Sequence, residues 1–377
     1  MTETGKYFLM FIKSPFQEQN KAGKFTWHYR PGEIYFVTAK SKLRYQQNLK
    51  NKHAEFFDIF KFFKRYDAQE KGNHTKIIIR SGGIGDIVAL STICHAIPGN
   101  IEFWTSDRMA PIFDWYEKPV RVKNFFDPLW RNIPWYNLNQ LKNRYRIVDF
   151  TEMIENGSDR NWYDIFYEAI NMPVGEKRPE LVDVSELDDM DYLLICHRST
   201  SAMRSASFQS IYEAVIKTKE LDQYRPIAVH GITLTESDRK YIESLPAGSV
   251  EVLKADDTGE FIDQVRCAGM VISVDSAAIH IREGLKLPAI GIYNSFSAKC
   301  RTEGYKYTYS FDIMSRCPDQ PCFLHQFQNG KIVNQCQHAE KGDPVAPCLT
   351  SKFTPDLEDQ LTAEFEKAIT IFQYATL

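Results

Sequence analysis

From Lys76 onward the chain alternates short apolar, β-branched runs with stretches of helical period. "KIIIR" (76–80) reads as a buried strand, "DIVALSTICHAI" (86–97) as a helix stopped by Pro98-Gly99, "IEFWTS" (101–106) as a second strand and "YRIVDF" (145–150) as a later one. A second block opens with the strand 192–199. It continues as helix 208–220, strand 225–231, strand 249–256, helix 259–269, strand 270–276, helix 277–287 and strand 288–294. Such alternation predicts parallel sheets built from βαβ units. Two blocks predict an α/β chain with two Rossmann-like domains facing across a cleft, where the carboxyl ends of the strands would hold ligand. The tail "TPDLEDQLTAEFEKAITIFQYATL" (354–377) predicts a closing helix with Thr354 as its N-cap and Pro355 in its first turn. The expected divisions are an amino-terminal module (1–75), a first Rossmann-like, acceptor-side domain (76–185), a second, donor-side one (186–310), a Cys-rich loop (311–350) and the closing helix (351–377).

Composition adds a class and one asymmetry. With 43% apolar and 25% charged residues the chain belongs with ordinary globular proteins. Its longest purely apolar runs, such as Phe8 to Ile12, are too short to span a bilayer. The expected location is the cytoplasm. Net charge is -3, but residues 1–76 hold 15 Lys/Arg against 7 Asp/Glu, a local +8. That piece is also rich in rings, as in "EFFDIFKFFKRYD" (55–67), a combination able to grip a polyanion such as duplex DNA by charge and stacking. The simpler alternative is a small satellite core whose lysines are merely solvated, since charge asymmetry by itself is a weak cue.

The candidate chemistry sits at two strand-to-helix turns. In the first, Gly82, Gly83 and Gly85 follow a strand as a dinucleotide-binding loop would, but Val88 takes the third glycine position and Asp86 ends the turn. A carboxylate about 5 Å from a phosphate costs about 1 to 3 kcal/mol. Pyrophosphate is therefore a poor guest. The helix amino terminus keeps that carboxylate ionised, which suits Asp86 to general-base work; a plain helix cap is the alternative. In the second turn, Asp275, Ser276, Ala277 and Ala278 supply N–H groups, a hydroxyl and small side chains fit for a diphosphate, with His280 one turn on. The junction "ICHRSTSAMRSASF" (195–208) adds His197, Arg198 and Arg204 as candidate donor-side groups, the arginines as cations for a departing diphosphate.

"GGIGDIVALSTICHAI" and "DSAAIH" with "GLKLPAIGIY" resemble the paired motifs of glycosyltransferase family 9, the heptosyltransferase-like enzymes of GT-B fold; short members with an added basic module are similar to phage-encoded proteins. The resemblance covers roughly residues 76 to 310 and the closing helix. It implies an inverting glycosyltransferase that needs no cofactor for catalysis. Asp86 would be the base, Asp275 to Ala278 with His280 would meet the phosphates of a UDP- or ADP-linked sugar, and Arg204 or Arg198 would be the cation. Ala277 departs from the family's glycine, and "MRSASF" is a reduced form of its basic segment.

Four cysteines, Cys317, Cys322, Cys336 and Cys348, are spaced C-x4-C-x13-C-x11-C, near structural-metal spacing but without a tight C-x2-C pair. Some relatives that glycosylate proteins carry a four-cysteine iron site here, so the resemblance implies a structural iron or zinc. Free thiols are the alternative. For the acceptor, a hydroxymethylated base in phage DNA, a saccharide such as lipopolysaccharide core and a protein hydroxyl stay open. A dinucleotide-dependent oxidoreductase and a catalytically silent nucleotide-binding module are the competing classes.

Overall fold

The computed structural model describes residues 76–80, 83–124, 147–149, 160–188, 190–199, 201–231, 234–295, 297–320, 345–350 and 352–375, with shorter stretches within 7–58 and 327–339. The chain forms two compact units. The first comprises Met1–Gly82, Ile97–Phe113 and Pro119–Glu152, and the second Gly83–Ala96, Asp114–Lys118 and Met153–Leu377.

In the first unit, strands β1 (Tyr7–Ile12), β2 (Phe16–Gln19), β3 (Thr26–Tyr29), β4 (Ile34–Thr38) and β5 (Ala54–Asp58) precede the parallel sheet. β1 lies antiparallel between β4 and β5, and β2 pairs with β3. The rest of the ring-rich run, 59–67, lies outside the described residues. Strands β6 (Lys76–Ile79), β7 (Ile101–Thr105), β8 (Arg121–Asn124) and β9 (Ile147–Asp149) form an all-parallel sheet in the order β8-β7-β6-β9. β7 is buried along its whole length, as a parallel strand covered on both faces must be. Its one acid, Glu102, accepts a hydrogen bond from Trp104 Nε1 at 2.8 Å.

The second unit begins with α1 (Ile84–Ala89) and α2 (Ser91–Ala96). One helix was expected over 86–97. The ladder breaks at Leu90, and the Ser91 hydroxyl donates to the Val88 carbonyl at 2.8 Å, a side-chain bond that competes with helical pairing. Tyr116 Oη donates to the carbonyl of Ile87 and ties α1 down. Then come α3 (Trp162–Ala169), β10 (Met190–Cys196), α4 (Phe208–Lys217), β11 (Ile227–His230), α5 (Glu236–Ser244), β12 (Val250–Leu253), α6 (Thr258–Cys267), β13 (Ala268–Val274), α7 (Ala277–Gly284), β14 (Ala289–Tyr293), α8 (Lys299–Thr302), β15 (Thr308–Asp312) and α9 (Leu357–Ala375). α5 was missed because its surface is almost wholly polar. Its signal was the capping box: Thr235 Oγ1 accepts from Asp238 N at 3.1 Å, and Asp238 Oδ2 accepts from Thr235 N at 2.9 Å.

The six strands are parallel in the order β12-β11-β10-β13-β14-β15. Renumbered from β10, this is 3-2-1-4-5-6, the doubly wound order of nucleotide-binding sheets, whose direction reverses between β10 and β13. Leu193, Ile195, Ile227, Met270, Ile272, Ile290 and Ile292 fill one core with Phe208 and Ile211 of α4 and Phe365 and Ile369 of α9. α9 starts later than its sequence implied. Thr354 does not cap it: the hydroxyl donates to the Cys348 carbonyl at 2.6 Å, while the Thr354 carbonyl takes the Leu357 N–H. Among the described residues no helix is long and apolar enough to cross a membrane.

Candidate active site

Open α/β sheets take ligands at the carboxyl ends of their strands, where strand order reverses. At that point β13 leads into Asp275 and β10 runs into the loop carrying Arg204. Arg204 Nη1 donates to Asp275 Oδ2 at 2.6 Å, and Asp275 is only 3% exposed. Burial alone would lower the Arg204 pKa, but the charges of Asp275 and Asp86 outweigh it and hold the guanidinium ionised. Ser276 is the N-cap of α7, its hydroxyl accepting from Ala278 N at 3.3 Å and lying 2.7 Å from Ser273 Oγ. Ala277 opens the helix, and Ala278 and His280 are buried in it.

Asp86 belongs to the same unit and the same cluster. It occupies the first turn of α1, half-buried, where its Oδ2 accepts the backbone N–H of Gly83 at 3.0 Å. Its charge acts on Arg204, His280 and Arg301. Gly85 explains how α1 comes so near: a Cβ there would lie 2.9 Å from His280 Cδ2 and 3.2 Å from Ala277 Cα, so only glycine admits the contact between the two helix starts. Gly82 lies outside the described residues.

Three groups in this cluster carry no local sequence motif. Arg301 of α8 is buried, and its guanidinium carbon sits 4.8 Å from the centre of the Trp162 ring. Burial lowers its pKa, with Asp275 and Asp86 pulling the other way. Trp162 also packs against His280, with centroids 4.7 Å apart and ring planes tilted by 46°, and Tyr305 Oη lies 2.7 Å from His280 Nδ1. Burial drives the His280 pKa down to about 4, against the pull of Asp275. The cluster thus pairs two carboxylates with two guanidiniums around a neutral imidazole. A cavity of about 540 Å³, lined by Ser297, Thr302, Ser310, Asp312, Glu364 and Lys367 among others, contains none of these residues.

His197 and Arg198, grouped with Arg204 in the sequence, are bound elsewhere. Both are buried, and both reach Asp238 Oδ2, His197 Nε2 at 3.3 Å and Arg198 Nη2 at 3.0 Å. Burial would raise the Asp238 pKa, but His197 and Thr235 overcome it and hold the carboxyl well below its usual range. Burial lowers the pKa of His197. These two residues serve the capping box of α5.

Cys322 lies outside the described residues. Burial pushes the Cys348 thiol up to about 11, Asn294 opposes this, and Cys317 and Cys336 add to it. The three described cysteines do not by themselves fit a closed metal site. Among the described residues, the ligand atoms found mutually within 4.8 Å belong to His95, Glu117 and Glu180. The Cys-rich segment instead buttresses the arginine loop: Asn294 Nδ2 donates to the Met203 carbonyl at 2.8 Å and to Cys348 Sγ at 3.1 Å, and Ala346 N donates to the Ser205 carbonyl at 3.0 Å.

No protein-family model and no curated relative matches the sequence. Solved structures do. A glycosyl transferase family 9 protein from Veillonella parvula is 10% identical, with 78% of this chain and 97% of that one covered and a TM-score of 0.52. The iron-containing dodecameric glycosyltransferase TibC of enterotoxigenic E. coli is 14% identical over 78% of each chain, with a TM-score of 0.50. A complex of TibC with ADP-D-beta-D-heptose matches at 12% identity over 98% of this chain and 92% of that one, also at 0.50. At these identities the likeness establishes the architecture: the chain has the α/β, GT-B type fold seen in these glycosyltransferases.

Proposed function

We propose that the protein is an inverting glycosyltransferase that moves a sugar from a nucleoside-diphosphate donor to an acceptor hydroxyl. The observation that carries the reading is the Arg204–Asp275 pair at the switch point of a 3-2-1-4-5-6 sheet, with the Asp86 charge acting on the same guanidinium. An arginine held ionised there offsets the charge that builds on a departing diphosphate, and the amino terminus of α7 adds its dipole. Asp86 takes the proton of the acceptor hydroxyl as that oxygen bonds to the anomeric carbon. The bond from that carbon to the diphosphate oxygen breaks with inversion. An ADP-linked heptose is the donor we favour, because the TibC complex that shares the fold holds one. For the acceptor we favour a saccharide or protein hydroxyl. The DNA reading rests on the basic segment, whose residues 59–75 lie outside the described residues.

Asp86→Asn tests the assignment. It is expected to fold, to bind the donor nucleotide as the parent does, and to lose about 100- to 10,000-fold in transfer. Near-normal turnover would remove Asp86 from the mechanism. A thermal-shift panel of nucleotide sugars identifies the donor, since a ligand raises the melting point according to its affinity. Stabilisation by a nicotinamide dinucleotide alone would favour the oxidoreductase class.

A further inference from the structure

His280 is gripped along one edge and presented along the other. Its Nδ1 lies 2.7 Å from Tyr305 Oη, which lies 3.2 Å from Tyr163 Oη. On the opposite edge Cδ2, the neighbour of Nε2 in the ring, faces the Gly85 turn, where an added Cβ would meet it at 2.9 Å. Trp162 covers the ring at 4.7 Å, and Tyr305 meets it edge-on at 90°. All four rings are set by short segments tied together, for Asn161 caps α3 through Tyr163 N and also donates Nδ2 to the Lys299 carbonyl of α8.

Three proton orders are open to the chain Tyr163, Tyr305, His280, and hydrogen-bond accounting separates them; in one, Tyr305 accepts from both neighbours and its own proton is left with no acceptor among the described residues. Burial pushes both phenol pKa values well up, so each hydroxyl keeps its proton. Among the described residues Tyr163 Oη has one hydrogen-bond partner, Tyr305. If His280 Nδ1–H donated to Tyr305 and Tyr305 donated to Tyr163, the Tyr163 proton would be buried with no acceptor there, a loss of about 1 to 3 kcal/mol. In the reverse order every proton is used: Tyr163 donates to Tyr305, and Tyr305 donates to Nδ1. A neutral imidazole that accepts at Nδ1 must carry its proton on Nε2.

We infer that Tyr305 is a positioning residue that fixes His280 as the Nε2–H tautomer, turning it into an uncharged hydrogen-bond donor beside the Asp86 turn. The position of the proton follows from the packing alone. Its use, donation to an oxygen of the bound diphosphate sugar, rests on the glycosyltransferase reading. A neutral donor there helps the ligand without weakening Asp86 as a base, as a nearby imidazolium would by stabilising the carboxylate's charge.

The test is nitrogen-detected NMR of ¹⁵N-histidine-labelled, ligand-free protein; with nine histidines in the chain, His280 is assigned by the resonance lost in His280→Gln. The expected spectrum places the His280 proton on Nε2. Tyr305→Phe keeps the ring and removes the donor, so Nδ1–H becomes populated. Tyr163→Phe leaves Tyr305 free to donate, so Nε2–H persists. In transfer assays Tyr305→Phe is expected to lower kcat on the order of tenfold, the size of one hydrogen bond, with the donor KM within about twofold. A proton on Nδ1 in the parent, or an unchanged tautomer in Tyr305→Phe, overturns the inference. Absence of transfer by the parent from any nucleotide sugar would instead strike the glycosyltransferase reading and leave the tautomer result standing.

Discussion

Asp275 and Asp86 each stand at the amino end of a helix that follows a parallel strand, yet their surroundings differ. Asp275 is 3% exposed and bonded to Arg204 at 2.6 Å, one residue before the cap of α7. Asp86 is half-buried in the first turn of α1 and is held by a backbone N–H at 3.0 Å. The same side chain with the same helix dipole therefore has two uses. Deep and paired, it anchors a cation; shallower and held by the backbone, it is the carboxylate that the proposed mechanism uses as base. Depth of burial separates the two roles.

Neutralising each acid in turn is the strongest way to break the comparison. Asp86→Asn should remove about 100- to 10,000-fold of the transfer rate while shifting stability by no more than about 1 kcal/mol. Asp275→Asn should do the opposite first, leaving Arg204 with an uncompensated charge. The cost is up to about 3 kcal/mol, at the low end for a broken buried pair because 24% of the Arg204 side chain meets solvent. Denaturant melts of both variants beside a transfer assay decide it. Equal stability losses would mean that the two acids share one structural role.

The parallel strands and most helices of the second unit were legible because each is an apolar run of the right period bounded by turn residues. The two turns were legible because an aspartate follows a strand within a few residues. The partners were not. Arg301, Trp162 and Tyr305 gather around His280 from α8, α3 and the segment after α8, and no spacing in the chain announces the contacts of Trp162 with His280 and Arg301, 118 and 139 positions away. The same limit misplaced His197 and Arg198 beside Arg204. They are neighbours in sequence, but their partner Asp238 is on α5, a polar helix that hydrophobic period does not mark. The four-cysteine spacing illustrates the converse, a regular pattern whose described members do not close a metal site on their own.

The second turn also holds a titrating group at depth, which gives the comparison a pH signature. The folded-state pKa of His280 is about 4, below its ordinary 6.5. The unfolded chain therefore takes up that proton first as pH falls. The stability contributed by the neutral imidazole is complete above about pH 6.5 and is lost as pH falls to about 4, by at most about 1.4 kcal/mol per pH unit. Asp238, whose carboxyl is held well below its usual range, contributes stability above that range and loses it only at more acid pH. Melting temperatures should therefore decline in the window between pH 6.5 and 4, and His280→Gln should flatten that decline. A variant whose slope matches the parent would assign the window to other groups, such as the buried His197 and the half-buried His230, whose pKa values desolvation also lowers.

The smallest contrast lies within the first turn itself, between two glycines two residues apart. At Gly85 an added Cβ would meet Ala277 Cα at 3.2 Å, a backbone atom at the start of α7 that cannot yield without moving the helix, as well as His280 Cδ2 at 2.9 Å. At Gly83 the nearest atom to such a Cβ is Asp86 Oδ2, at 3.8 Å, an ordinary contact. Gly85→Ala should thus cost about 1 to 3 kcal/mol, as overpacking does, and should displace Asp86 and His280 together, lowering transfer as well as the melting point. Gly83 is the N-cap of α1 with φ near -72°, a conformation open to alanine, so Gly83→Ala should cost no more than the gap between glycine and alanine at a cap, about 0.5 to 1 kcal/mol, and leave transfer within about twofold. Comparing the pair separates the two demands on the glycine turn. If Gly83→Ala proves the more damaging, close approach of ligand to the turn outweighs helix contact, and the reason for its glycines shifts from α7 to the acceptor.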